Sequence, residues 1–590
     1  MSNSDIENNF SVNRLSPRRN SSEANSEAES ITEQIRHAGI DETSALGKAL
    51  ANTINDIYHC HDNVDRMWEV VQRDLHDLDQ GDTIALFNAK KLLSFQLAKI
   101  LDNLQQPFRK SYQNLGYTSQ TMSAKGPYPV FDNVTALFSA TPVIARTATY
   151  IFACAEWISD AFEGKELLLE IYSRLLNPTS ISLANHIVDL EAGRYAADYM
   201  AWNFNSGMAA IDAVLSNRLN YGDILITSQN LYGGAHQLIN DWFAKPTNFN
   251  VAVERFSGDD TEDFEACLAL VKEKYADRLA QGNKIHLYLE SPCNPHGYVL
   301  DVQGMCIAAH KEGIRVMLDA SVGTPFLQQP LQVTNEEARP DYLIHSLTKD
   351  ICGSGSVIAG CVIGRNADMF NAKGAPGWDE TMFWDVYYVK GAFLSADAAF
   401  EVMQGMRTME VRMLKKSTNT VIMSEFLSKH PDIGVSCSSL VNNLNKKKSE
   451  AQLFLGLPAP LFTLNLPTLP AKTFQRFFDN LEPMFSHMIS LGQTNSIVSC
   501  PGLTTHSELE PEDREIVEIF PYTIRVAIGI EDPKDLIEHI VAAARISIDC
   551  DVPGFSDKFL DEGARNKLIK DIYIDINSRY IDASLAKHST

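Results

Sequence analysis

The chain is short of positive charge, clustered cysteines and long apolar runs, and each shortage removes a class of protein. Its 51 lysines and arginines stand against 75 aspartates and glutamates, leaving a net charge of −24. Gripping a phosphate backbone takes clustered basic side chains, so nucleic acid is not an expected partner. The ten cysteines are scattered with no CxxC pair, which argues against a structural zinc site and against a disulfide framework, and fits a reduced, cytoplasmic compartment. His59 and His61, two apart on a helical pattern, do not share a face, so no metal is expected. No segment approaches the ~20 apolar residues needed to cross a bilayer, and the amino terminus lacks a basic-then-apolar signal pattern. A soluble protein with no membrane partner is expected. No GxGxxG follows the first strand, and GSGSVIAG (353–360) has the wrong spacing for a dinucleotide fingerprint.

At 590 residues the chain has material for two or three domains. Residues 1–40, rich in Ser, Asn and Glu, cannot bury enough surface to offset ordering entropy and read as a disordered tail. Over 41–125 apolar residues recur at steps of three and four: Leu46, Leu50, Ile54 and Ile57, then Val64, Trp68, Val71 and Leu75, and beyond the QGDT turn Leu86, Leu93, Leu97 and Leu104. That spacing predicts a helical extension, suited to packing on the main body or to assembly. An arm over 126–180 leads into a large domain, 181–385, where strands (GDILITS, NVAVERF, IHLYLE, IRVMLD) alternate with helical segments. Repeated βαβ units predict a mostly parallel sheet with helices on both faces. Ligands then bind at the strand carboxyl ends, where Glu290, Asp319 and His345 fall. A smaller α+β domain is expected over 386–550, with segments such as LFTLNLP and TIRVAIGI, followed by a helical tail over 551–590.

Lys349, in HSLTK (His345 to Lys349), lies thirty positions after Asp319, which ends the apolar strand of IRVMLDA. A free lysine, with pKa about 10.4, is almost wholly protonated at neutral pH. Burial and neighbouring cations make it an amine able to form an imine with an aldehyde. A carboxylate at the end of the adjacent strand can keep a pyridine nitrogen protonated, and the ring then accepts electrons from a developing carbanion. Together these are the requirements of pyridoxal 5'-phosphate (PLP) chemistry.

The surrounding sequence resembles the Cys/Met-metabolism family of PLP enzymes, the trans-sulfuration group that includes cystathionine synthases and lyases and methionine gamma-lyase. Seven motifs carry the resemblance in order: YSRLLNPT (172–179), NSGMAAI (205–211), LYGGAHQL (231–238), ESPCNP (290–295), LDASVGTPFLQQPL (318–331), HSLTK and IRVAIGIEDPKDLI (524–537). They span roughly residues 126 to 550. The resemblance implies the fold type I architecture of PLP-dependent transferases, with a smaller C-terminal domain. It implies that the N–H groups of Gly207 and Met208, with the hydroxyls of Ser346 and Thr348, bind the cofactor phosphate. A helix amino terminus suits that anion. Tyr172 and Arg174 would reach the phosphate of a neighbouring subunit, so the chain is expected as a homo-oligomer, a tetramer built as a dimer of active dimers. Tyr232 would stack on the ring and act as general acid or base, and Asn294 would bond the ring 3'-oxygen. Asp319 would face the ring nitrogen. Arg525, with Ser496 nearby, would clamp the substrate carboxylate, and Lys349 would be both anchor and base.

Three departures bear on activity. The family usually has Tyr after the catalytic lysine, but here it is Asp350, followed by CGSGS (352–356). A carboxylate beside the imine is expected to favour its protonated form. Positions at which the resemblance implies charges for the distal half of cystathionine carry Ile171, Gln237 and Asn495 instead, which favours a compact substrate. Methionine gamma-lyases commonly carry Cys two residues after the stacking Tyr, and here it is Gly234. The expected activity is a methionine gamma-lyase-like elimination from a small sulfur amino acid. The alternatives are γ-replacement on an activated homoserine ester, cystathionine cleavage, and a non-catalytic scaffold paralogue.

Overall fold

The computed structural model describes residues 172–587, apart from 372, 441–442, 444 and 504–518, together with 139–150, 162 and parts of 31–125. The chain divides into two compact units, one of residues 18–143 with 154–159 and one of the remainder. The expected disordered tail lies outside the described residues as far as position 30, and within its last ten Ile31 and Ile35 are helical and buried. In the first unit the predicted spacing forms α1 (Ala45–Asp74). It opens at Ser44, whose hydroxyl accepts the Gly47 N–H at 2.9 Å.

The second unit contains a seven-stranded sheet in the order β1-β7-β6-β5-β4-β2-β3, with β1 Tyr199–Phe204, β2 Ile224–Ser228, β3 Ala252–Phe256, β4 Ile285–Glu290, β5 Arg315–Asp319, β6 Tyr342–His345 and β7 Gly360–Arg365. Only β7 runs against its neighbours. Alternate side chains go to opposite faces, and both faces are covered. Leu287, Leu289, Val316 and Leu318 pack with Leu183 and Ile187 of α2 (Pro178–Ala192) and with Val302 and Met305 of α4 (Val302–Lys311). Tyr288, Met317 and Ile344 pack instead with Ala210, Ile211 and Val214 of α3 (Gly207–Arg218). Coverage on both sides explains why these strands read as near-continuous apolar runs. Asn177 caps α2 by accepting the Thr179 N–H, with Pro178 at the first helical position.

A second sheet, in the order β10-β11-β12-β9-β8, is built from β8 Gly434–Ser436, β9 Leu461–Asn465, β10 Ser486–His487, β11 Ile497–Ser499 and β12 Thr523–Ala527. Behind it Ile422, Met423 and Phe426 of α5 (Met409–Ser428) share a core with Leu536, Ile537 and Ile540 of α6 (Pro533–Ser547). The C-terminal helix α7 (Glu562–Lys587) adds Leu568 and Ile569 to that core, and its Tyr573 hydroxyl accepts from Lys415 on α5. Among the described residues no helix is long and apolar enough to cross a membrane.

Candidate active site

The ends of β4, β5 and β6 assemble the site, because parallel strands in register deliver their carboxyl ends to one edge of the sheet. Glu290 and Asp319 are direct register partners there. Both are buried. Asp319 accepts the Ser321 N–H at 2.9 Å, and the Ser321 hydroxyl in turn accepts the Ser346 N–H at 2.6 Å. Burial pushes the Asp319 carboxyl above its ordinary range, against the pull of Ser321, His345 and Lys349. Glu290 is pushed up to about 8, first by burial and then by the charge of Asp319. His345 is fully buried, with its Nε2 2.7 Å from Oε1 of the equally buried Glu191.

Lys349 follows β6 in a turn, and its Nζ donates to the Ser490 hydroxyl at 3.2 Å. Burial, followed by the nearby Arg525 cation, depresses its pKa, while Asp350 and Asp319 oppose the shift. Arg525, on β12, is 1% exposed and has no carboxylate hydrogen-bonded to it among the described residues. It donates to the carbonyls of Ile489 (2.9 Å) and Ser490 (3.2 Å) and to Oδ1 of Asn294 (3.4 Å). Its Nε finds no partner among the described residues. Burial lowers this guanidinium to about 10. A buried cation without an acid is costly, so the arrangement suits a carboxylate that arrives with a ligand.

Glu290 organises two further residues by accepting the Tyr232 N–H at 2.6 Å and the Asn294 N–H at 2.9 Å. The Tyr232 ring lies over position 234: a Cβ there would stand 2.6 Å from its Cε1 and 3.1 Å from Met208 Sδ. Gly234 is therefore the space the ring occupies, and a cysteine at that position would displace it. At the start of α3, a Cβ on Gly207 would meet the Ser346 Cβ at 2.7 Å, so only glycine lets the helix terminus close on the HSLTK turn. Ser206 caps this helix through Ala209, and the first N–H groups of a helix lack intrahelical partners.

These residues fit PLP on structural grounds. A depressed lysine amine, a buried carboxylate, a glycine-lined helix terminus and an orphaned guanidinium Nε are what its aldehyde, ring nitrogen, phosphate and amino-acid adduct require.

A family model for Cys/Met metabolism PLP-dependent enzymes matches residues 132–545. The chain belongs to that family. It is 30% identical over 413 residues to an L-methionine gamma-lyase of Porphyromonas gingivalis, covering 68% of this chain and 90% of that protein. It is 28% identical to an O-succinylhomoserine sulfhydrylase of Mycobacterium tuberculosis, covering 67% and 88%. Among solved structures it resembles a Campylobacter jejuni protein described as an O-acetylhomoserine (thiol)-lyase, which carries a pyridoxyl-lysine monophosphate (TM-score 0.61, 27% identity, 73% of this chain and 100% of that one). It also resembles the cystathionine gamma synthase of Xanthomonas oryzae in complex with cystathionine (TM-score 0.57, 26% identity, 70% and 95%). The chain is thus a PLP-dependent enzyme of fold type I acting in Cys/Met metabolism, on an amino-acid substrate.

Not every expected residue joins the cluster. Ser496 is fully buried, donating to Glu531 at 2.9 Å and accepting the Gly529 N–H at 3.0 Å. The serine beside Lys349 is Ser490, six positions earlier, and its signal was the SLG run in which Gly492 allows close approach. Read there, the preceding residue is the apolar, 66% exposed Ile489, so this position too lacks a carboxylate. Asn495 bonds Ser486, Gln237 is exposed on a short helix, and Ile171 lies outside the described residues. The Thr348 hydroxyl is committed to Ala359, donating to its carbonyl at 3.1 Å and accepting its N–H at 3.0 Å. Tyr172 and Arg174 lie with Tyr388: Arg174 donates to the Tyr388 carbonyl at 2.7 Å and rests on both tyrosine rings. None of their described contacts is with Lys349 or Asp319. Glu290 was placed at the ligand-binding strand ends without a role and Ser321 was given none, since nothing local marks a strand-end acid as the acceptor for two distant backbone groups.

Asp350 acts on Lys349 in the direction expected from its charge, as one of several opposing charges. Its carboxylate does not face the Lys349 amine alone: Oδ1 accepts from the buried Lys416 at 2.5 Å. The turn leading into the CGSGS segment is likewise fastened, with Arg412 donating to the carbonyls of Asp350 (2.8 Å), Ile351 and Cys352 (both 3.3 Å).

Proposed function

We propose that this enzyme is a carbon–sulfur lyase of the methionine gamma-lyase type, releasing thiol, ammonia and a 2-oxo acid from a small sulfur amino acid. The observation that carries the reading is the pairing of a buried Lys349, its pKa depressed by burial and by Arg525, with a buried, acid-free Arg525 across Ser490. A lysine in that state takes a proton, and a guanidinium in that state takes a carboxylate. Both belong to one substrate when its Cα–H lies toward Lys349 Nζ.

PLP supplies the electron sink that makes the Cα proton removable. On this reading Lys349 holds the cofactor and moves that proton, Asp319 faces the ring nitrogen and Asn294 the 3'-oxygen. Gly207, Met208 and Ser346 line the phosphate, joined by Tyr172 and Arg174 from a second copy of the chain, and Tyr232 covers the ring, while Thr348 braces the turn through Ala359. Arg525, with its Nε open, orients the carboxylate. Ile489 and Gln237 offer no charge to a second amino-acid head, which supports a compact substrate over cystathionine. Relatives that act on homoserine esters support a second reading, γ-replacement on such an ester. A cytoplasmic homo-oligomer, a dimer of active dimers, accompanies both readings.

With PLP added, the purified protein is expected to show an absorption band near ~420 nm that Lys349→Ala abolishes. Methionine, cysteine, cystathionine and O-succinylhomoserine offered in parallel should give thiol and 2-oxo acid fastest from methionine or cysteine. Turnover of the ester only, with sulfide supplied to form the new carbon–sulfur bond as succinate leaves, selects replacement, and absence of both band and turnover selects the scaffold reading.

A further inference from the structure

Helix α5 carries a polar stripe on its buried face, which is unusual in a helix that also serves a core. Arg412, Lys416 and Asn419, at steps of four and three, are all buried. Each ties down a different segment of the site. Arg412 holds the carbonyls of residues 350 to 352 behind Lys349. Lys416 joins the Asp350 carboxylate (2.5 Å) to the Gln493 carbonyl (3.0 Å), three residues beyond Ser490. Asn419 donates to the carbonyls of Gly529 (3.1 Å) and Glu531 (2.8 Å), in the turn that follows the strand of Arg525. One helix face therefore fixes the lysine turn, the serine segment and the arginine strand against one another.

We propose that Asp350 and Lys416 form a positioning pair that sets the distance and the charge balance between Lys349 and the Ser490–Arg525 side of the site. Asp350 stands where the resemblance implies a tyrosine after the lysine. A buried ion pair is weak evidence for stability, because apolar residues of similar volume often serve as well. What an apolar pair cannot do is hold a carbonyl of the serine segment and a residue adjoining the catalytic lysine with a single ammonium group. The proposal rests on the assignment of Lys349 as the cofactor lysine.

Lys349 is faced by Asp319 on β5, Arg525 on β12 and the adjoining Asp350, with Lys416 and Arg412 of α5 behind Asp350. Removing one member of the pair strands the charge of the other. Lys416→Met should thus raise the pH midpoint for acylation of Lys349 in PLP-free protein by about one unit, and Asp350→Asn should lower it by about one unit. The midpoint is read by mass spectrometry of the labelled peptide. The long-wavelength band of the PLP-loaded variants should titrate with shifts of the same opposite signs.

A stranded buried charge can prevent folding, and Asp350→Leu/Lys416→Met leaves none. In that double variant a positioning role reads as a fall of about tenfold in kcat/KM with the melting temperature held or raised. Unchanged kcat/KM in the double variant overturns the proposal, and so do single-variant midpoints that move together or not at all. Survival of the ~420 nm band in Lys349→Ala would instead show that the lysine assignment had failed.

Discussion

Glu290 does for the site what no sequence motif announced: it holds the backbones of Tyr232 and Asn294 while lying beside Asp319 in a water-poor edge of the sheet. Burial raises both carboxyls, and the charge of Asp319 adds to the rise of Glu290, which is pushed up to about 8. The folded state therefore retains a proton over a window, from the ordinary glutamate range up to about 8, in which the unfolded chain has lost it. The Glu290 contribution to stability falls as pH rises through that window, by at most about 1.4 kcal/mol per pH unit for one proton. Glu290→Gln has no such proton to retain. Urea unfolding of the PLP-free protein at pH 5.5 and pH 8 should show a shallower decline for Glu290→Gln than for the parent. Equal declines would mean that Glu290 is ionised in the fold at neutral pH.

At the scale of elements, the alternation of strand and helical segments made the large sheet legible, because parallel strands covered on both faces are mostly apolar, as in IHLYLE and IRVMLD, each broken by one basic side chain and closed by an acid. The same pattern placed Asp319 and Lys349 on adjacent strand ends. The second sheet was legible only as isolated strands, since its role in the site depends on where the short segment Ser490–Gln493 lands. That landing is a close approach of backbones: Gly492, at φ +90, would with a Cβ stand 2.5 Å from Lys349 Cα and 2.6 Å from the Asp350 nitrogen. Ser496, chosen from sequence, sits on the far side of the same turn against Glu531, and no periodicity distinguishes the two serines. Gly492→Ala should push the serine segment off the lysine turn and disfavour its left-handed backbone. A displacement of that size costs about 100-fold in kcat/KM, with the cofactor band kept but broadened. Activity within about twofold of the parent would mean that the two segments need no such contact.

At the scale of the whole molecule, the proposed assembly turns on Arg174. Its guanidinium lies on Tyr172 and Tyr388 and donates to the Tyr388 carbonyl, with no described contact to Lys349. An arginine's fork suits phosphate, and the proposed dimer has Arg174 serve the site of a neighbouring chain. If each site combines Lys349 of one chain with Arg174 of another, Lys349→Ala and Arg174→Ala lesions complement each other when the chains are mixed. Half of randomly reassembled dimers are hybrids, and each hybrid has one site carrying both lesions and one carrying none. Unfolding and refolding an equal mixture should therefore restore about a quarter of the parent's turnover, because a two-fold dimer distributes both contributions symmetrically. Each variant refolded alone should stay near its own low level. Failure of the mixture to exceed the two variants, with hybrids verified by native mass spectrometry, would place Arg174 in service of its own chain.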